Sequence, residues 1–124
     1  MSLCYDIGSG FHGSKGIMLV AAGIEFDKKQ IVQQEILRQL QLICDGEITA
    51  EELRSAKEAL LSNLRATHDS PGAIEGYYAS AAISGIGMDT AQFMQAIQAV
   101  DLAQVRKAAE SLTLQTVYFL RGDR

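Results

Sequence analysis

The chain has 124 residues, of which 48% are hydrophobic and 21% are charged, and its formal net charge is -4. This length and composition fit a single globular domain with a modest core. The negative charge and the scattered lysines and arginines argue against a nucleic-acid partner, because binding to phosphates requires clustered basic residues. No stretch reaches the roughly 18 consecutive apolar residues of a membrane span, and no signal peptide is visible.

Two cysteines, Cys4 and Cys44, are too few for a disulfide framework and lack the spacing of a zinc ribbon. Cys44 falls on the apolar face of a predicted helix, where a small buried thiol is the ordinary interpretation. We therefore expect a reducing, cytoplasmic location.

The first 24 residues predict an antiparallel β-hairpin. Residues 3–11 alternate weakly between apolar and polar positions, and residues 16–24 are nearly continuous apolar sequence, as in a strand covered on both faces. A glycine-rich stretch joins the two strands and favours a flexible turn; its glycines are Gly8, Gly10, Gly13 and Gly16.

A helix is predicted over about residues 27–45. Asp27 is its expected N-cap, and Gly46 is a suitable C-terminal stop because glycine accepts the left-handed conformation. Apolar residues recur at three- and four-residue spacing and predict one buried stripe: Ile31, Val32, Ile36, Leu40, Ile43 and Cys44.

A second helix is predicted over residues 49–68. It opens with Thr49 and Glu52, a T-x-x-E capping box in which each side chain satisfies a backbone donor of the other residue. We expect its inner face to contain Leu53, Ala56, Leu60 and Leu64. A third helix, residues 70–84, begins with Pro71 in its first turn, where the missing donor has no cost.

Two short helices and a closing strand complete the prediction. Asp89 caps a helix over residues 89–100, and Asp101 caps another over residues 101–111. Residues 113–121 are rich in β-branched and aromatic side chains, which are typical of a strand.

The predicted order is therefore strand, strand, a run of helices, and strand. Segregated helices and strands indicate an α+β fold, an antiparallel sheet with helices packed on one face, and not alternating βαβ units. Gly122 and Asp123 are expected to end the ordered region.

The stretch from Gly8 to Gly13 matches the dinucleotide-binding pattern G-x-G-x-x-G. That pattern functions only where the glycines open a helix whose N-terminal amides meet a pyrophosphate. Here they lead into a strand-like run, and Ser14-Lys15 reverses the order that a phosphate-binding P-loop requires. We therefore interpret these glycines as part of a hairpin.

The only two histidines, His12 and His68, do not have the spacing of a zinc site, which needs about three protein ligands. His68 lies near a predicted helix end, where a structural role is expected. A Cys4–His12 nucleophilic pair across the hairpin is conceivable, but the sequence offers no third group to orient it.

Two further pairs of functional side chains have structural interpretations. Glu51 and Glu52 lie in the first turn of a helix, where carboxylates interact favourably with the helix dipole, so an acid–base pair is not indicated. We expect Tyr77 and Tyr78 to form packing surface with their hydroxyl groups at its rim.

Several segments resemble, in order, one half-domain of the pitrilysin/insulinase-type zinc peptidases. The junction between the first two helices, Gly46 to Lys57, carries the first resemblance, and Asp69-Ser70-Pro71 the second. The opening Leu3-Cys4-Tyr5 is similar to the family's L-x-Y, and Val117 to Gly122 to its terminal strand.

The resemblance implies a piece of the C-terminal, non-catalytic half of such a peptidase. Members of the family carry zinc on an H-x-x-E-H motif in the N-terminal half, and this chain has no such motif. Tyr5 matches the tyrosine that helps to hold the substrate carbonyl, whereas the family's arginine, seven residues earlier, would lie before Met1. The family domain also begins with further strands and a helix, so we expect a truncated domain.

The function implied by the resemblance is that of a non-catalytic portion of a zinc-dependent peptidase, forming substrate chamber wall and packing surface. This chain needs no cofactor, and an active parent protein would supply the zinc elsewhere. The alternative is an interaction or scaffold subunit of the same family without a zinc site; a free-standing ligand-binding domain is a third possibility. Expected partners are the remaining parent domains, a peptide substrate and a second copy through a sheet edge or face, but neither nucleic acid nor membrane.

Overall fold

The computed structural model describes residues 3–122, so Asp123, predicted to end the ordered region, lies outside the described residues. Two strands pair antiparallel: β1 is Asp6–His12 and β2 is Ile17–Gly23. The register runs from Asp6 opposite Gly23 to His12 opposite Ile17. Gly16 closes the turn between them with φ of 60°, a left-handed conformation that favours glycine.

The strand predicted over residues 113–121 is wrong. Over the described residues the sheet has two strands, β1 and β2, and residues 113–121 carry no strand assignment. The side chains there do favour a strand, but a strand exists only when its backbone pairs with another. Propensity is a local property, whereas pairing depends on which other backbone lies alongside.

The first helix begins later than predicted, because a short 3-10 turn, Phe26–Lys28, precedes α1, Lys29–Asp45. Asp27 lies inside that turn, and α1 has no side-chain cap, so the predicted capping role of Asp27 is wrong. At the other end, Gly46 has φ of 81°, and its N–H donates to the carbonyl oxygen of Ile43 at 3.1 Å. The predicted glycine stop is confirmed.

Four more helices follow, and three of them begin with a reciprocal capping box. Helix α2 is Ala50–Thr67, α3 is Pro71–Ile83, α4 is Thr90–Ala99 and α5 is Leu102–Glu110. The boxes join Thr49 to Glu52, Asp89 to Gln92, and Asp101 to Gln104. Each box satisfies backbone donors that the first helical turn leaves without partners.

None of the helices in the part of the chain described here is both long and apolar enough to cross a membrane.

The elements form an α+β arrangement, as predicted. Helix α1 packs on α5, and α2 packs on α3 and α4. Residues of α1, Ile36, Leu40 and Ile43, face Ile7 and Val20 of the hairpin across an open apolar groove. Helix α1 thus lies alongside the hairpin, although every residue of β1 stays exposed.

The hydrophobic core is thin. Among the described residues only three apolar side chains are buried, namely those of Val32, Leu61 and Ala81. Leu61, not the predicted Leu60, is the buried leucine of α2, since Leu60 is 53% exposed. The chain exposes 9632 Å², whereas a compact monomer of its 13.4 kDa exposes roughly 6,500 Å². About 3,100 Å² more surface faces solvent than in a typical monomer of this mass.

The capping box of α2 gives a first prediction. Thr49→Ala removes the side chain that accepts from the Glu52 N–H at 3.1 Å, and we expect a loss of about 1 kcal/mol in the free energy of unfolding. Urea denaturation followed by far-UV circular dichroism measures it. Ser55→Ala, in the exposed interior of the same helix, is the control and should lower stability little or not at all. Equal losses in the two variants would contradict the capping assignment.

A second prediction concerns acid sensitivity. Arg38 donates to both carboxylate oxygens of Glu35, at 2.7 and 2.8 Å, and with Gln39 it lowers the pKa of Glu35 from 4.5 to about 2. The folded chain therefore favours the charged form; the resulting stabilisation is complete above pH 4.5 and is lost as the pH falls towards about 2.

Accordingly, Glu35→Gln should lower the urea midpoint at neutral pH, and its difference from the wild type should vanish as the pH approaches 2. Glu58→Gln, at another exposed glutamate, is the control and should show no comparable pH-dependent difference. A Glu35→Gln effect that stays constant between pH 7 and pH 2 would rule out the ion pair as its cause.

Candidate functional site

Tyr5, the predicted substrate contact, lies at the open end of the hairpin. Its backbone N–H donates to the Gly23 carbonyl oxygen at 2.7 Å, just before the start of β1. The chain then leaves β2 through Glu25, which has an extended backbone and precedes the 3-10 turn. The side chains of Tyr5 and Glu25 meet at this end of the hairpin, although 20 positions separate them in the sequence.

Three polar side chains form a linked group at this end, which we call the Tyr5 cluster: Tyr5, Glu25 and Lys28. The Tyr5 hydroxyl donates to Oε1 of Glu25 at 3.3 Å. Lys28 Nζ lies 3.0 Å from the other carboxylate oxygen of Glu25. Together with Leu3 and Cys4 they surround an open depression of about 360 Å³.

The electrostatics of the Tyr5 cluster keep all three groups in their ordinary ionisation states. Partial desolvation, and then the charge of Glu25, raise the pKa of Tyr5, so the phenol stays protonated at neutral pH. The hydrogen bond and charge of Lys28, followed by the bond from Tyr5, lower the pKa of Glu25. The hydrogen bond to Glu25 raises the pKa of Lys28. The cluster thus offers a neutral hydroxyl donor beside a bridged carboxylate.

The Tyr5 side chain is accessible to a ligand. It is 75% exposed, and its bond to Glu25 is long for an O–H donor to oxygen, which usually lies at about 2.5–3.0 Å. A carbonyl oxygen of a bound peptide would have to replace Glu25 as the acceptor of the Tyr5 hydroxyl. Because the existing hydrogen bond is long and weak, breaking it costs little free energy. The sequence missed Glu25 and Lys28, because their contact with Tyr5 forms only where the two ends of the hairpin meet.

The two histidines lie in different parts of the fold. His12 ends β1 at the turn, opposite Ile17. His68 follows α2 as its C-cap, and its Nε2 lies 3.0 Å from the hydroxyl oxygen of the buried Thr90 on α4. Within residues 3–122 no group of three or more histidine, cysteine, aspartate or glutamate side chains could hold a metal ion. The zinc that the family resemblance implies therefore does not fit the residues described here.

A Cys4–His12 nucleophilic pair is excluded by the strand between them. Cys4 precedes β1 and His12 ends it, and the extended span from Asp6 to His12 alone is about 20 Å long. Cys4 and Cys44 do not form a disulfide with each other.

The glycines of the G-x-G-x-x-G pattern do not open a helix. Gly8 and Gly10 lie within β1, and the chain continues from Gly13 through the turn into β2. No helix N-terminus is present there to meet a pyrophosphate, which excludes a dinucleotide site of the usual kind at this loop.

The remaining pairs of functional side chains have structural roles. Glu52 accepts from the backbone N–H and the hydroxyl of Thr49, both at 2.8 Å, and these bonds lower the pKa of Glu52. Tyr77 donates its hydroxyl to the Met88 carbonyl oxygen at 3.0 Å, and its ring meets that of Tyr78 edge-on at 5.2 Å. Burial raises the pKa of Tyr77, and its hydrogen bond to Met88 ties α3 to the loop that follows it.

Comparison with known proteins agrees with this geometry. Residues 1–60 match the family model described as the peptidase M16 inactive domain. The chain is 25% identical, over 121 residues, to the probable inactive metalloprotease YmfF of Bacillus subtilis (strain 168). Both matches support an M16-type C-terminal domain fragment. The match covers 98% of this chain but 28% of that relative, and no solved structure matches.

The predicted resemblance to pitrilysin/insulinase-type peptidases is therefore confirmed at the level of the family. The matched family model is that of an inactive domain, and it covers the hairpin, α1 and the first part of α2. The Tyr5 cluster lies within this matched region. Its role in contacting a substrate stays a prediction.

Proposed function

We propose that this chain is a non-catalytic M16-type domain that acts through its surfaces, forming part of a substrate chamber wall and packing surface for the remaining domains of a longer protein. The observation that carries this proposal is the exposed area, about 3,100 Å² above that of a compact monomer of equal mass. Surface of this extent is typical of a domain that packs against other domains or chains.

Two further observations support a non-catalytic role. The matched family model describes an inactive domain, and the relative from Bacillus subtilis is named a probable inactive metalloprotease. The described residues lack a side-chain group suited to a metal ion. The parent protein's reaction would be attack on a peptide bond by zinc-activated water, with the metal supplied outside this chain.

Within this proposal Tyr5 contributes a hydrogen bond to a peptide carbonyl. The protonated phenol, its exposure and its long bond to Glu25 support that role. A neutral donor suits a carbonyl oxygen, and it becomes more effective as negative charge develops on that oxygen.

The alternative is a scaffold subunit that binds partner domains but no peptide. The printed name of the relative, an inactive protein, favours it, because a domain without catalytic duty has no need for a substrate contact. Peptide binding distinguishes the two functions. A cytoplasmic location stays a prediction in either case.

A third prediction follows for the isolated chain. It should hydrolyse no peptide and should retain less than stoichiometric zinc after dialysis. A fluorogenic peptide assay and elemental analysis measure the two quantities. Activity that disappears on addition of a chelator, and returns with zinc, would contradict the proposal.

A fourth prediction tests the Tyr5 contact. Binding of fluorescein-labelled ten-residue peptides, measured by anisotropy, should weaken roughly two- to tenfold in Tyr5→Phe, since one neutral hydrogen bond is lost. Tyr118→Phe is the matched control, because Tyr118 is similarly exposed, at 80%, and outside the Tyr5 cluster.

Equal affinity in wild type and Tyr5→Phe would remove Tyr5 from the contact while leaving the chamber wall in place. A wild-type chain that binds no peptide at millimolar concentration would contradict the chamber wall and leave the scaffold function.

A further inference from the structure

The Tyr5 cluster presents a hydrogen-bond donor and an acceptor next to each other. The Tyr5 hydroxyl lies 3.3 Å from Oε1 of Glu25, and both side chains are accessible, at 75% exposed for Tyr5 and 48% for Glu25. The first group is a protonated phenol, and the second is an ionised carboxylate, whose oxygens can only accept. A ligand that reaches one of the two atoms therefore also meets the other.

Lys28 determines which carboxylate oxygen faces Tyr5. Its Nζ lies 3.0 Å from Oε2 of Glu25, and Oε1 is the oxygen that accepts from the Tyr5 hydroxyl. The Lys28 side chain is 18% exposed, less than half the exposed fraction of the Glu25 side chain. The more covered lysine thus holds an accessible carboxylate in place beside the hydroxyl.

A closely spaced donor and acceptor match the backbone of an extended peptide. Where two antiparallel strands pair, a residue can exchange both of its backbone bonds with the residue opposite, one through its N–H and one through its carbonyl oxygen. The Tyr5 hydroxyl can take the place of the opposing N–H, and Oε1 of Glu25 can take the place of the opposing carbonyl oxygen. Together the two side chains offer what one residue of a neighbouring strand would offer.

Binding through the peptide carbonyl alone is unfavourable at this site. When a peptide carbonyl accepts from the Tyr5 hydroxyl, Oε1 of Glu25 loses the bond that it accepts from that hydroxyl. A bound peptide would also shield this ionised oxygen from water, and a shielded charged group without a donor destabilises the complex. The N–H of the same peptide residue removes this penalty by donating to Oε1.

We propose that Tyr5 and Glu25 together bind one residue of an extended peptide, with the hydroxyl donating to its carbonyl oxygen and the carboxylate accepting from its N–H. The inference rests on the proposed function, in which Tyr5 contacts a peptide carbonyl, and it adds a second contact and the class of ligand. Because both contacts are to the backbone, the site selects an extended peptide with a free amide N–H and not a particular side chain.

An ester scan of the peptide tests the N–H contact. The probe is the tightest-binding of the fluorescein-labelled ten-residue peptides, prepared in versions that each replace one amide N–H by an ester oxygen. The replacement removes the donor to Glu25 and alters the carbonyl of the preceding residue, not the carbonyl that Tyr5 contacts. At one position the ester should raise the dissociation constant of the wild type about tenfold, because a hydrogen bond to a charged group is lost.

Glu25→Ala removes the same contact from the protein. It should raise the dissociation constant of the all-amide peptide about tenfold, and it should then bind the ester and the amide with the same affinity, since the two changes remove one interaction. The matched control is Glu51→Ala, which also breaks an ion pair with a basic residue three positions later but lies in the first turn of α2. Its affinity and its sensitivity to the ester should equal those of the wild type.

Far-UV circular dichroism should show the same helix content in both variants and the wild type. The ester scan uses the unaltered protein, so it decides the question even where Glu25→Ala does not fold.

The results that contradict this inference differ from those that contradict the proposed function. Tighter binding by Glu25→Ala would overturn the inference, because Glu25 would then compete with the peptide for the hydroxyl. It would also fail if no ester weakened binding, or if the ester cost the same affinity in the wild type and in Glu25→Ala. In each of these cases weaker binding by Tyr5→Phe would leave the Tyr5 contact in place. A wild type that binds no peptide at millimolar concentration would overturn both.

Discussion

Seven residue pairs, from Asp6–Gly23 to His12–Ile17, hold β1 to β2 and determine where the other features of interest lie. The hairpin places Tyr5 at its open end, where Glu25 follows β2, and His12 at its turn. The same geometry separates Cys4 from His12. A slip of one residue would move every hairpin side chain to the opposite face. The apolar groove between the hairpin and α1 would then lose Ile7 and Val20.

Sequence patterns predicted those features whose causes lie within a few residues. The Thr49–Glu52 capping box and the left-handed Gly46 depend on groups at most three or four positions apart, and both are present. Asp27 failed as a cap because the chain enters α1 through a 3-10 turn, an arrangement with no distinct signature in the sequence. Aspartate is a favourable N-cap residue, but Asp27 lies two residues before the first residue of α1.

Features that depend on distant parts of the chain were less predictable. The strand prediction for residues 113–121 had strong propensity and still failed, because pairing requires a neighbouring backbone. Glu25 and Lys28 were missed as neighbours of Tyr5 for the same reason: their proximity follows from how the hairpin folds and not from spacing along the chain. The inner face of α2 shifted from Leu60 to Leu61, since the helices that pack on α2 determine which side is covered.

The 3-10 turn Phe26–Lys28 contacts two separate parts of the chain. Lys28 faces Glu25 and so supports the Tyr5 cluster, whereas the Phe26 ring contacts Phe119 and Arg121 near the end of the described residues. Only three apolar side chains are buried among the described residues, so contacts at this turn contribute to the positions of both Glu25 and Phe119.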